Sequence, residues 1–175
     1  VALHVPKRDS KVSAGFMAIR SHDLVDIEVC PVLAPGLLRA PDVAKSLGVI
    51  LGDCDCWVTL ADNGLDVAVK VERKDNERAL PKLSVLADEQ SLARLTVNGD
   101  EVVTRQRPVV TMGRAMVAIP SGSFLQATQA GEHILAQLVL EGVGKRAKQV
   151  ADLFCGVGPF ALRLPAQVKP LLTVE

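Results

Sequence analysis

Apolar positions along this chain change period from one stretch to the next, and each period predicts an element. Residues 1–5 read as a strand already under way, residues 12–19 as a second strand and residues 25–29 as a third, leading into Cys30-Pro31. From 35 to 51 the apolar positions Leu37, Leu38, Val43, Ala44, Leu47 and Ile50 or Leu51 recur at helical spacing, and Gly52 closes the pattern. Residues 57–60 and 65–71 alternate around Asp62-Asn63-Gly64, a hairpin in which Asn-Gly is expected to supply the positive-φ turn. Residues 75–90 predict a helix with Pro81 in its first turn and Leu80, Leu83, Val85 and Leu86 on its core face. Strands follow at 92–97, 101–104 and 112–119. A helix over 128–141 carries the apolar stripe Ile134, Leu135, Leu138 and Val139, ending at Gly142 and Gly144. Then come an apolar strand, a glycine turn at Gly156-Val157-Gly158, a short helix to about Ala166 and a final strand that ends on Glu175.

The first group of elements predicts a small α+β domain over residues 1–120. Pro120-Ser121-Gly122-Ser123 marks a boundary, and residues 121–175 read as the first βαβ part of a Rossmann-like α/β domain. A doubly wound sheet needs more strands than these to bury its faces, so the expectation is an internal piece of a longer protein.

Composition changes this picture little. Hydrophobic residues make up 49% and charged residues 23% of 175, ordinary for a globular chain. Net charge is +0, which gives no global electrostatic case for nucleic acid. The basic clusters Lys7-Arg8 with Lys11, Arg105 with Arg107, and Lys145-Arg146 with Lys148 read as solvated surface. Aromatic residues are only 3%, too few for a single-strand stacking platform. No stretch is apolar enough to span a membrane, and Cys30, Cys54, Cys56 and Cys155 do not make a disulfide framework. A cytoplasmic, reduced setting is expected.

The chemistry concentrates near the end. A strand, a glycine turn, a helix and a second strand closing on an acid about 20 residues on make a nucleotide-cofactor pattern: glycines admit backbone close to the ligand, and the acid holds ribose hydroxyls. Three details disfavour a dinucleotide. Asp152 lies inside the strand, Pro159 removes an amide donor from the first helical turn, and Phe160 is bulky where the helix closes. A cofactor with one ribose, a cationic centre and no phosphate fits better, namely S-adenosylmethionine. A nicotinamide or flavin dinucleotide oxidoreductase using the same turn is the alternative, and a non-catalytic binding module with a vestigial cofactor fold is a third.

The segment Asp152-Leu-Phe-Cys-Gly-Val-Gly-Pro-Phe resembles the cofactor motif of the class I RNA uracil-5-methyltransferases, which methylate uridine in 23S ribosomal RNA and in tRNA. Ser123-Phe124-Leu125-Gln126-Ala127-Thr128 is similar to that family's Phe-x-Gln element. Ser21-His22-Asp23 with Cys30-Pro31-Val32-Leu33-Ala34-Pro35 resembles the segment that supplies an iron–sulfur ligand in its ribosomal branch. The match is strong over 121–160 and 21–37 and weak between.

The resemblance implies Gln126 as a cofactor-binding amide, Phe154 as a contact near the S-adenosylmethionine, Gly156 and Gly158 as close-approach backbone and Glu175 as ribose acceptor. It implies Cys30 as one ligand of a [4Fe-4S] cluster in the intact protein, with the other three upstream. It also implies RNA as partner, ribosomal rather than transfer RNA, with an RNA-binding domain upstream. In such an enzyme a thiolate adds to uracil C6, C5 takes the methyl group, and a base removes the C5 proton from a uridine drawn out of its stack. Neither thiolate nor base is expected among these residues, so the piece by itself is expected to be inactive. Pro159 departs from the family, which often has Asn there, so the site would bind more weakly or lean on Gln126. Cys155 has no base nearby in sequence and is not read as a nucleophile, and Cys54 and Cys56 are read as packing.

Overall fold

A computed structural model describes residues 1–9, 11–72, 77–144, 147–164 and 171–174. They form two compact units, Val1–Pro108 and Val109–Glu175. The architecture is mixed α and β, as the apolar periods predict.

The first unit is built on a seven-stranded sheet in the order β5-β4-β1-β6-β7-β8-β9. Its strands are β1 (Ala2–Val5), β4 (Gly15–Met17), β5 (Leu24–Asp26), β6 (Cys54–Ala61), β7 (Gly64–Lys70), β8 (Leu92–Val97) and β9 (Asp100–Thr104). The short strands β2 (Lys7–Arg8) and β3 (Lys11–Val12) pair separately, so the strand expected over 12–19 is divided. The division falls at Ala14, whose amide donates to Asp26 Oδ1 at 3.0 Å instead of continuing a ladder.

Among the described residues of this sheet only β7 and β8 pair in parallel, and helix α2 (Leu80–Glu89) lies between them in sequence as the crossover a parallel pair requires. Helix α1 (Ala40–Leu51) begins later than the apolar spacing suggests. A 3-10 turn at Pro35–Leu37 comes first, and Pro41 takes the first helical turn, where its missing N–H costs nothing. Gly52, at φ +83°, ends the helix as expected.

One face of the sheet meets both helices. Leu3, Val5, Cys56, Val58, Leu65, Val67, Leu92 and Leu95 pack there with Val43, Ala44 and Leu47 of α1 and Leu83 of α2. The α2 face is Leu83, Leu86 and Ala87, while Leu80 and Val85 are exposed. At 3.6 residues per turn Leu83, Leu86 and Ala87 share one face, and Val85 lies away from it.

α1 approaches closely at Gly48, where an added Cβ would lie 2.5 Å from Val5 Cγ1 and 2.7 Å from Val12 Cγ1. Alanine would gain about 1 kcal/mol of helix propensity there. Overpacking two stiff β-branched neighbours costs roughly 1–3 kcal/mol, so glycine is the better fit.

The two Asn-Gly turns differ. At Asn98-Gly99 both residues have positive φ, +53° and +92°, the form that suits strand twist. At the β6–β7 hairpin Ala61 pairs with Gly64, so Asp62 and Asn63 form the loop and only Gly64 has positive φ. The Asn63 side chain donates to the Arg107 carbonyl at 2.8 Å, and a Cβ on Gly64 would sit 3.1 Å from that of Ala93. Close approach to β8, rather than the turn, is what that glycine serves.

Within the second unit the strand expected over 112–119 is a hairpin, β10 (Val109–Met112) and β11 (Ala115–Ala118), turning at Gly113 with φ +62°. Helix α3 (Gln129–Val143) is capped by Thr128 and ends at Gly144. Strand β12 (Val150–Leu153) pairs in parallel with β13 (Leu171–Val174), and a 3-10 turn at Ala161–Arg163 lies in the crossover. The rest of the helix expected to reach Ala166 lies outside the described residues. The α3 stripe is largely open: Ile134, Leu135, Leu138 and Val139 are all exposed. Among the described residues no helix is long and apolar enough to cross a membrane.

Inside the sheet, Arg94 of β8 donates from Nε and Nη2 to the two carboxylate oxygens of Asp66 on β7, at 2.8 and 2.7 Å. Both side chains are buried, and the Asp66 hydrogen bonds hold the guanidinium pKa above its ordinary value. Asp66→Ala removes the carboxylate that neutralises a buried cation and is expected to cost about 3–5 kcal/mol. The paired replacement Asp66→Leu/Arg94→Met should cost far less, and urea unfolding of the two variants checks the difference.

Candidate functional site

The parallel β12–β13 pair puts both strand ends at one edge, with Leu153 beside Val174. There the chain after β12 folds back sharply. Cys155 N–H donates to the Val174 carbonyl at 3.0 Å, Gly158 N–H to the Cys155 carbonyl at 2.8 Å, and Leu162 N–H to the Gly158 carbonyl at 3.1 Å. The turn is thus tied to the end of β13 on one side and to the helical turn on the other.

Three residues of this turn have positive φ: Phe154 at +58°, Gly156 at +52° and Gly158 at +87°. Gly156 is exposed, and a Cβ there would meet nothing within 4 Å, which leaves open space over its backbone. Gly158 is buried, and a Cβ there would meet Leu162 at 3.3 Å.

Phe154 carries the clearest signal. A bulky residue in the left-handed region costs about 1–2 kcal/mol, and its side chain is 91% exposed. Neither packing nor backbone preference explains it. Strain of this kind collects where a ligand is gripped.

Asp152 opens the methyltransferase-like motif and disfavours a dinucleotide, but sequence reasoning gives it no site role. Its Oδ2 atom is buried and has no hydrogen-bond partner among the described residues. A carboxylate oxygen desolvated without a donor is costly unless a cation or donor from a ligand reaches it. The signal in the sequence was a charged residue inside an apolar strand.

Gln126 is half-buried in the segment ahead of α3. It does not cap the helix: Thr128 Oγ1 accepts from Gly131 N–H at 3.0 Å. Phe124 is 79% exposed. Glu175 lies outside the described residues, although Val174 before it is held by Cys155.

In the first unit Cys30 is half-buried, and its carbonyl accepts from Leu33 N–H at 3.2 Å. Ser21 and Asp23 close a turn upstream, with Ser21 Oγ donating to Asp23 Oδ2 at 2.7 Å. Among the described residues no three His, Cys, Asp or Glu side chains gather as a metal site. An iron–sulfur cluster takes four thiolates, so these residues by themselves do not fit one. Cys54 and Cys56 are buried on one strand face with their sulfurs 3.8 Å apart. The contact with Cys54, together with burial, holds the Cys56 thiol above its ordinary pKa, which suits packing rather than reactivity.

No family model matches the chain. Curated proteins do. An uncharacterized RNA methyltransferase of Brucella melitensis is 39% identical over 162 residues, covering 90% of this chain and 39% of that protein. The chain is homologous to RNA methyltransferases. Another uncharacterized RNA methyltransferase, from Caulobacter vibrioides, is 39% identical over 187 residues, covering 100% of this chain and 44% of its own length. The 23S rRNA (uracil(1939)-C(5))-methyltransferase RlmD of Shewanella sediminis is 28% identical over 189 residues, covering 100% of this chain and 42% of its own length. The chain therefore spans about two fifths of the methyltransferases it matches.

Phe154→Gly is expected to raise stability. Relief of about 1–2 kcal/mol of left-handed strain exceeds the roughly 0.5–1 kcal/mol entropy cost of glycine, and an exposed ring gives up little packing. Gly158→Ala should lower stability, since its φ of +87° resists a side chain. Thermal melts of the two variants should move in opposite directions.

Proposed function

We propose that this chain is part of an S-adenosylmethionine-dependent RNA uracil-5-methyltransferase acting on ribosomal RNA, with residues 121–175 opening its cofactor domain. The observation that carries the reading is the strained, exposed Phe154 at the glycine turn, two residues after an Asp152 whose buried Oδ2 has no donor among the described residues. The RNA methyltransferase names of the relatives support the reaction class, and the RlmD name supports uracil C5 in 23S rRNA.

The donor set fits a cationic cofactor. A diphosphate would bring more negative charge to a turn that already follows an unsatisfied carboxylate, whereas an ammonium would satisfy it. In this reading Asp152 accepts from the methionine amino group, and the Phe154 ring lies along the methionine part. The backbone at Gly156 lets the ligand come close, and Gln126 hydrogen-bonds it from the α3 side. Glu175 takes the ribose hydroxyls, for which an ionised carboxylate is a stronger acceptor than a carbonyl. The bound cofactor supplies an electrophilic methyl group on a sulfonium. The residues of this chain orient that group and keep water from it. Cys30 would give one ligand to an iron–sulfur cluster completed elsewhere in the whole protein.

Titration of the whole protein with S-adenosylhomocysteine and with NADH separates this reading from a dinucleotide oxidoreductase. Binding of the homocysteine analogue alone is expected. NADH binding with no response to the analogue would overturn the reading. Asp152→Asn and Phe154→Gly should each weaken the analogue by about ten- to a hundredfold, the worth of a hydrogen bond to a charged group or of a buried aromatic contact. For Cys30, anaerobically prepared whole protein should contain iron and show a visible absorbance that Cys30→Ala diminishes. Iron-free, colourless protein would remove the cluster from the proposal.

A further inference from the structure

We propose that Arg163 is a positioning residue that sets the width of the cofactor site by tying the glycine turn to the start of α3. The inference rests on the cofactor reading above and adds to it a residue outside the ligand contacts.

Three segments of the second unit meet at this one side chain. Arg163 Nη1 donates to the Pro159 carbonyl, at the close of the glycine turn, at 2.5 Å. Arg163 Nη2 donates to Glu132 Oε1, in the first turn of α3, at 2.7 Å. A Cβ on Gly113 would come 3.0 Å from Arg163 Cγ, so the β10–β11 turn closes on the aliphatic stem. The Arg163 and Glu132 side chains are only 11% and 10% exposed. An exposed pair with this geometry would contribute little. Nearly buried, it fixes what it joins, because separating its members leaves a desolvated charge. The chemistry needs arginine: its planar fork serves two acceptors at once in a set geometry, and a lysine ammonium presents no such fork.

What it joins matters for the ligand. Glu132 N–H donates to the Thr128 carbonyl at 3.0 Å, and Thr128 caps the helix. Gln126 stands two residues before that cap, and two residues of chain span at most about 7 Å. Holding Glu132 against Arg163 therefore limits how far the Gln126 amide can stray from the turn that carries Phe154, Gly156 and Pro159. Pro159, which brings no amide to the ligand, acts through its carbonyl as the anchor for this tie.

The test is calorimetric titration of the whole protein with S-adenosylhomocysteine, using Glu132→Ala alone and in a Gln126→Ala background. A pair that acts by placing Gln126 should show coupling: Glu132→Ala is expected to weaken binding about tenfold with Gln126 present and less than about twofold without it, non-additivity that a general loss of stability does not produce. Equal losses in both backgrounds, or no loss in either, would overturn the inference. Should Glu132→Ala fail to give a cooperative melt, the apolar pair Glu132→Leu/Arg163→Met replaces it, since such exchanges keep proteins folded. That variant should keep its melting temperature and lose about tenfold in affinity, and unchanged affinity would overturn the inference. Wild-type protein that binds no homocysteine analogue would overturn the cofactor reading itself, a result distinct from every variant outcome.

Discussion

The parallel pairing of β12 with β13 is the constraint on which the second unit depends. Parallel strands deliver their carboxyl ends to the same edge, so the residues after Leu153 and those around Val174 emerge side by side. The chain must then reverse at once to reach its crossover, and the Cys155 amide closes that reversal on the Val174 carbonyl. Positive φ at Phe154, Gly156 and Gly158 follows from the sharpness of the reversal. Glycine meets that demand cheaply at two of these positions. At the third, a large aromatic side chain is held against its backbone preference and turned to solvent.

The first unit solves a different problem, burying a wide sheet with two helices on one face. Its close contacts come from small residues, Gly48 against Val5 and Val12 and Gly64 against Ala93, where a single methyl group would not fit. Its polar content is handled by pairing. Asp66 and Arg94 face each other across the parallel β7–β8 step, where register shifts between Leu65 and Asp66, and the fork-to-carboxylate geometry fixes that step more tightly than apolar packing would.

Much of this was legible in the sequence because local periods and turn chemistry act locally. The β6–β7 hairpin, β8, β9, the closure of α1 at Gly52 and the extent of α3 all follow from alternation, helical spacing and glycine placement. The misses share a cause in contacts between distant residues. The split near Ala14 depends on Asp26, the role of Gly64 depends on Ala93, and the core face of α2 depends on its packing against the sheet. At the site, the glycines and Phe154 stood out as a motif. The unsatisfied oxygen of Asp152 and the ion pair of Glu132 with Arg163 did not, because burial and partnership across 31 positions are invisible in a linear string.

The four cysteines sort by burial rather than by sequence. Cys54 and Cys56 are enclosed in the sheet, whereas Cys30 and Cys155 reach solvent, one in each compact unit. A mild thiol reagent would therefore sort the four sulfurs into two within reach and two sheltered by the sheet.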